Sequence, residues 1–244
     1  MRIAIVTDIH EDFEMLEKAF AQIRTIGYDL FVCLGDITGY APKYYNHQPN
    51  ANACIDLLRA HAGIVLAGNH DLFSSKKLPS YHLERNIPHN WYDLSLEQRY
   101  THSKNLWLYE EEILPNLSTQ NQDYLNGLKE WCTVDTGTRK LLLSHYFQPD
   151  LTGVGRWFPY RIGELRPHFK FMNECDSTLS FVGHCHPDGF TLVSKLFWSM
   201  PSFEKAKIKQ KPRIVLCPPI VSRVRKSSFI IFDSLKNEVV PYNI

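Results

Sequence analysis

No apolar run in this chain approaches the roughly 18 residues that cross a bilayer, and no hydrophobic export segment precedes its first strand-like stretch. That stretch, Arg2-Ile3-Ala4-Ile5-Val6, stands at the very start, so a soluble cytoplasmic protein without membrane association is expected. An excess of charge is also missing: Lys plus Arg number 27 against 26 Asp plus Glu, a net +1. No global field advertises a nucleic-acid or lipid partner, and any anion site must be local. Cysteine is scarce, six residues with no pair at CxxC spacing, which argues for reduced thiols and against a disulfide framework. Internal repeats, low-complexity tracts and Pro/Gly-rich linkers are absent as well. Nothing marks a boundary, and a single domain over 1–244 is expected.

What is present is a repeated unit of strand, sharp polar end and amphipathic helix. The first strand, 3–6, is followed by a helix carrying Phe13, Leu16, Phe20 and Ile23 on one face at spacings of three and four. A second strand at 30–34, a helix around 52–62 and a third strand at 64–67 complete a βαβαβ pattern, hence a parallel arrangement. The near-continuous run Leu30-Phe31-Val32-Cys33-Leu34 suits a sheet covered on both faces. Residues 73–131 differ, with aromatics, prolines and helical stretches expected over 103–114 and 119–128, and read as an inserted helical cap. Beyond it, 131–134 and 140–144 flank a turn-rich link and predict a hairpin. Later strands are expected at 179–182, 190–193, 213–217, 229–232 and 238–240. The fold class is therefore α/β, two packed mixed β-sheets flanked by helices in four layers.

Almost every good strand ends in a metal-ligating side chain. After the first comes Asp8-Ile9-His10; after the second, Gly35-Asp36; after the third, Gly68-Asn69-His70-Asp71; after the hairpin, Ser144-His145; and after 179–182, Gly183-His184-Cys185-His186. Carboxyl ends of strands in α/β folds deliver side chains from separate strands to one rim, which is how sites assemble there. Extended alternation would aim Asp8 and His10 the same way, and His184 and His186 likewise, so each pair could chelate one ion. Aspartate, asparagine and imidazole without thiolate select Mn, Fe, Zn, Co or Ni, with Mn or Fe the first expectation.

In their order these motifs resemble the calcineurin-like metallophosphoesterase superfamily, over residues 1 to about 190. The resemblance implies a centre of two divalent ions. One would be held by Asp8, His10, Asp36 and His186, the other by Asp36, Asn69, His145 and His184, with Asp36 bridging. Two cations about 3.5–4 Å apart lower the pKa of a shared water and clamp phosphoryl oxygens, so hydrolysis of a small phosphoester by a metal-bridging hydroxide is implied. His70, not needed as a ligand, would act on the leaving group, with Asp71 the nearest carboxylate to orient it.

Two departures shape the expectation. Where the phosphoprotein phosphatases of that superfamily continue the second motif into an Asp and a phosphate-gripping Arg, this chain has Gly39 and Tyr40, so it resembles the small bacterial and archaeal phosphodiesterase branch. Where that branch has Asn-Pro-Gly-Ser late in the chain, Cys217-Pro218-Pro219-Ile220 stands here. A phosphodiester is therefore expected over a monoester, with Arg156 and Asn69 as candidate substrate contacts. Cys185 is expected to point away from the ligands flanking it, and His47, His61, His82, His89, His102 and His168 to be structural or solvated. Lys205, Lys207, Lys209, Lys211 and Arg213, followed by Arg223, Arg225 and Lys226, would line one face if extended. Such a ladder is either a solvated edge or a polyanion contact, which leaves a nuclease or nucleic-acid-binding protein as the alternative reading beside a catalytically silent metal scaffold.

Overall fold

The structure, a computed structural model, describes residues 1–81, 87–221 and 226–244; His82, Arg223 and Arg225 lie outside them. The elements run β1 (Arg2–Val6), α1 (Phe13–Ile26), β2 (Leu30–Cys33), α2 (Ala51–His61), β3 (Ile64–Val65), α3 (Asn69–Ser74), α4 (Leu96–His102), α5 (Thr119–Asn126), β4 (Trp131–Asp135), β5 (Lys140–Ser144), α6 (Arg166–Glu174), β6 (Leu179–Val182), β7 (Thr191–Val193), β8 (Ala206–Lys207), β9 (Arg213–Leu216), β10 (Ser228–Asp233) and β11 (Glu238–Asn243). One sheet has the order β3-β2-β1-β10-β11-β8, the other β4-β5-β6-β9-β7. In the first, β1, β2 and β3 are parallel and β10, β11 and β8 antiparallel. In the second, β5, β6 and β9 are parallel, with β4 and β7 antiparallel at the edges.

Alternation along the strands explains why they are apolar throughout. Ile3 and Ile5 face the second sheet and pack with Leu141, Leu143, Leu179, Phe181, Val215 and Phe232. Ala4 and Val6 face the other way, onto Leu16, Ala19, Phe20 and Ile23 of α1. Leu142 of β5 likewise turns outward onto Phe169 and Met172 of α6. Both faces of each sheet are thus covered, giving the expected sandwich of helices, sheet, sheet and helices.

Two expectations fail. The helix expected at 103–114 lies earlier, at α4, because Ser95 and Gln98 form a reciprocal capping box that starts it there. Residues 103–114 form instead an irregular strap, tied by bridges from Leu106 to Gly155 and from Ile113 to Tyr40. The basic ladder is not one face either. Lys207 lies on β8 at the edge of the first sheet, while Arg213 opens β9 in the second, because Ile208 turns into the core between the sheets.

Phe181 is fully buried between the sheets and meets Phe232 at a ring separation of 5.3 Å. Truncation to Ala should therefore cost about 3–5 kcal/mol, read as a lower urea midpoint with unchanged slope; an unchanged midpoint would mean the sheets do not pack through this residue.

Candidate metal centre

The chain leaving β1 is laid across the end of β2 by main-chain bonds. Asp8 N donates to Gly35 O at 3.0 Å, Ile9 N and His10 N donate to Asp36 O at 2.8 and 3.0 Å, and Glu11 N donates to Ile37 O at 2.8 Å. These bonds hold Asp8, His10 and Asp36 at φ of 54°, 47° and 54°, and His184 and His186 stand at 62° and 46°. Left-handed backbone is uncommon outside glycine and persists where surrounding structure enforces it. The extended alternation expected for Asp8-x-His10 and His184-x-His186 is thus absent, and the left-handed residues re-aim their side chains. One result is that His184 and His186 part company. His186 Nε2 lies 3.1 Å from Asp8 Oδ1 and 3.3 Å from His10 Nε2, whereas His184 Nδ1 lies 3.3 Å from His145 Nε2 and 3.1 Å from Asn69 Oδ1.

Asp36 joins the two groups. Its Oδ2 is 3.0 Å from His145 Nε2 and 4.0 Å from both His10 Nε2 and His70 Nε2. Donor atoms of Asp8, His10 and His186 lie within 4.8 Å of one another, as do those of Asp36, His145 and His184, and those of His10, Asp36 and His70. Their chemistry suits cations. His10 Nδ1 faces Gly39 O and His145 Nδ1 faces Leu34 O, each at 3.1 Å. A carbonyl only accepts, so each Nδ1 carries a proton, and Nε2 is the atom that each ring turns toward the buried carboxylates and would offer to a cation once deprotonated. Burial lowers the pKa of His10 and His184 to about 3, keeping both neutral. Burial opposes ionisation of Asp8, but His186 and His145 outweigh it and bring its pKa to about 2. Asp36 is held well below the usual range by His145 and His70 in the same way. His145, although buried, is raised to about 9 by Asp36, so the carboxylates draw positive charge to this spot. Two carboxylates, four imidazoles and an amide, without thiolate, form a donor set that fits two divalent ions.

Several groups that set this geometry were not among the sequence candidates. Asn69 opens α3, and Tyr109 Oη on the strap donates to its carbonyl at 3.3 Å and faces its amide nitrogen at 3.4 Å. That leaves Asn69 Oδ1 for the metal side. Glu112 Oε2 lies 2.5 Å from His70 Nδ1. Asp71 does not orient His70: its carboxylate accepts from Ile37 N at 2.9 Å, Thr38 N at 3.0 Å and Gly68 N at 3.0 Å. It occupies the third position of α3 and reaches back to the helix start, where unpaired amides gather. Burial alone would lower the pKa of His70, but Glu112 and Asp36 reverse this and raise it to about 10.

Asp150 is the other missed group. Buried and joined to Tyr81, it accepts from Gly153 N at 3.1 Å, Val154 N at 3.1 Å and Gly155 N at 2.8 Å. It fixes a loop that backs His184. Gly153 has φ 78°, and a Cβ there would lie 2.7 Å from His184 Nδ1. The spacing Asp150-x-x-Gly153-x-Gly155 soon after His145 was the available sequence signal.

Above these donors opens a cavity of about 630 Å³, walled by Tyr44, Tyr45, Trp107, Phe158, Pro219 and Val221. Arg156 stands at its mouth with the guanidinium 5.4 Å from the Trp107 ring centre. Cys185 lines the cavity instead of turning away. The late loop with Pro218 and Pro219 still reaches the site through its main chain, Ile220 N donating to Thr7 O and Val221 N to Asp8 O, each at 3.0 Å. His168 is a satisfied core residue between Gln148 N and Ser180 Oγ, and His47 Nε2 bonds His10 O at 2.9 Å.

Gly153→Ala should push His184 out of line. Elemental analysis is expected to show loss of one ion of two with the fold retained; unchanged metal content would mean that the loop does not set His184.

Comparison with known proteins gives the family and the fold. A model of the family described as calcineurin-like phosphoesterase matches residues 1–202. The chain is similar to a metallophosphoesterase from Sphaerobacter thermophilus (TM-score 0.67, 20% identity, 100% of this chain and 88% of that one). It is similar also to a hypothetical protein from Pyrococcus horikoshii (TM-score 0.61, 16% identity, 100% and 87%). A third structure of the same fold is titled as a novel archaeal phosphodiesterase (TM-score 0.51, 11% identity, 100% of both chains). Among curated proteins, an uncharacterized one from Methanocaldococcus jannaschii is 36% identical over 69 residues, 28% of this chain and 26% of that protein. With the strand-end donors in place and the family model spanning most of its length, the chain belongs to the calcineurin-like phosphoesterase family.

Proposed function

We propose that the protein hydrolyses a phosphodiester with two divalent ions, Mn or Fe first, held by Asp8, His10, Asp36, Asn69, His145, His184 and His186. Such ions, when bound, would supply positive charge to the phosphoryl oxygens and acidify water. The observation that carries the reading is the placement of His70. Its Nδ1 is held by Glu112, and its Nε2 faces the cavity 4.0 Å from Asp36, the carboxylate common to both donor sets. Asn69, the neighbouring residue, supplies the ligand at that strand end, so His70 is free to give a proton to the departing oxygen.

Preference for a diester rests on charge. Glu110 lines the cavity beside Glu111, whose charge Lys43 offsets at 2.7 Å, and Gly39 and Tyr40 offer no guanidinium or carboxylate there to grip a dianion. A monoester dianion meets more repulsion there than a diester monoanion. The likeness in fold to a protein titled an archaeal phosphodiesterase accords with this. The planar Arg156 and the aromatic walls supply contacts for the ester groups.

Parallel kinetics with matched aryl di- and monoesters should favour the diester; a strong monoester preference would overturn the substrate class while leaving the centre standing. His70→Ala should lower turnover by about 10²–10⁴-fold for a basic alkoxide leaving group and less as the leaving-group pKa falls, with metal content unchanged. Equal losses across the series would assign His70 to phosphate positioning, and loss of an ion would make it a ligand.

The Glu112 contact predicts a pH effect of definite sign. Removing its charge leaves burial less opposed, so the pKa of His70 falls from its raised value of about 10. With Glu112→Gln the basic limb of the rate profile should move to lower pH for poor leaving groups. An unmoved limb would show that Glu112 has no hold on that proton.

A further inference from the structure

The edge of the second sheet carries a feature that phosphoester chemistry does not use. After β7 the chain makes a tight hairpin whose tip displays Leu196 at 91% exposure, Phe197 at 45%, Trp198 at 36% and, on the returning limb, Met200 at 83%. The tip is built to hold them. Ser194 N donates to Phe197 O at 2.9 Å, and Ser194 Oγ accepts from Leu196 N at 3.1 Å and Phe197 N at 3.0 Å. Val193 bridges to Trp198, and Ser199 Oγ accepts from Leu192 N at 3.0 Å. Scattered single apolar side chains on a surface need no explanation, but four within five residues on a pinned turn form a patch.

Cations accompany it. Arg213 lies with its guanidinium 5.4 Å from the Phe197 ring centre, and Lys195, on the tip itself, reaches over Phe169 of α6 at 5.8 Å. Lys209 and Lys211 are exposed on the segment leading into Arg213. Lys205 and Lys207 belong to the edge of the first sheet, so the cations of this hairpin and of the segment entering β9 are Lys195, Lys209, Lys211 and Arg213, with no acid between 205 and 213. In a chain whose total charge is near neutral, that is a local concentration of one sign. It decides the occupant. A second copy docked tip to tip would set these cations against their own images, whereas an anionic surface with an apolar interior satisfies both halves of the patch.

We infer that this hairpin docks the protein peripherally on a membrane surface rich in anionic lipid, with Leu196, Trp198 and Met200 entering the headgroup boundary and Lys195, Lys209, Lys211 and Arg213 meeting lipid phosphates. Protruding Leu and Met favour lipid over nucleic acid, which offers them no apolar phase. Because Thr191 pairs with Leu216 and Val193 with Ile214, β7 runs away from the carboxyl end of β9, where Pro219 and Val221 wall the cavity. Docking therefore leaves the metal centre facing water.

The test is co-sedimentation of the intact protein with vesicles of equal parts phosphatidylglycerol and phosphatidylcholine, and with phosphatidylcholine alone. Binding to the first, absence from the second and weakening by salt are expected. Leu196→Ser with Met200→Ser should lower the partition coefficient at least about tenfold, while hydrolysis of a soluble aryl diester stays unchanged and reports an intact fold. No binding to anionic vesicles would overturn the inference. So would binding of a single-stranded oligonucleotide that survives the double substitution while vesicle binding is absent, or a dimer in light scattering that the substitution disperses.

Discussion

Two carboxylates buried in one pocket, Asp8 and Asp36, impose the constraint on which the rest of this site depends. Like charges out of water are unstable unless opposite charge or directed donors meet them. The fold answers from both sheets at once. His10 comes from the end of β1 and Asn69 from the start of α3, while His145, His184 and His186 follow β5 and β6. The sandwich thus has a polar seam at one end, and the apolar packing of Ile3, Ile5, Leu143 and Phe181 between the sheets fixes how far apart its halves lie. Packing energy and site geometry are linked, since a shift between sheets would part His145 from Asp36.

Strain and support are divided between backbone and neighbours. Five of the proposed ligands sit at positive φ, and that conformation persists because strand-end amides are already committed, as with Ile9 N and His10 N on Asp36 O. Asp71 spends its carboxylate on the main chain of Ile37 and Thr38, tying the end of β2 to α3. The strap over 103–114 adds side chains that no strand end could deliver: Tyr109 holds Asn69, and Glu112 holds His70. A segment of low regularity therefore places a carboxylate against a group at the centre of the site.

The parts legible in sequence were those governed by period. Continuous apolar runs in 3–6 and 141–143 located strands packed on both faces, and the chain order of Asp8, Asp36, Asn69, His145 and His184 marked the strand ends. The aim of the side chains was not legible, because Asp-x-His and His-x-His read equally well as extended or left-handed backbone. Glu112 was hidden by distance, standing 42 residues from His70 in a stretch whose apolar spacing suggested a helix. The run Glu110-Glu111-Glu112, without matching cations on a helical face, was the only hint that one acid had work elsewhere. The basic ladder misled because alternation of charge says nothing of where Ile208 turns inward.

Everything proposed for the chemistry rests on Asp36 serving two ions at once. Anomalous diffraction from crystals of the manganese-loaded protein tests this directly. Two peaks per chain are expected, one among Asp8, His10 and His186 and one among Asn69, His145 and His184, with the Asp36 carboxylate in contact with both. A single peak, or two peaks of which only one touches Asp36, would contradict the account.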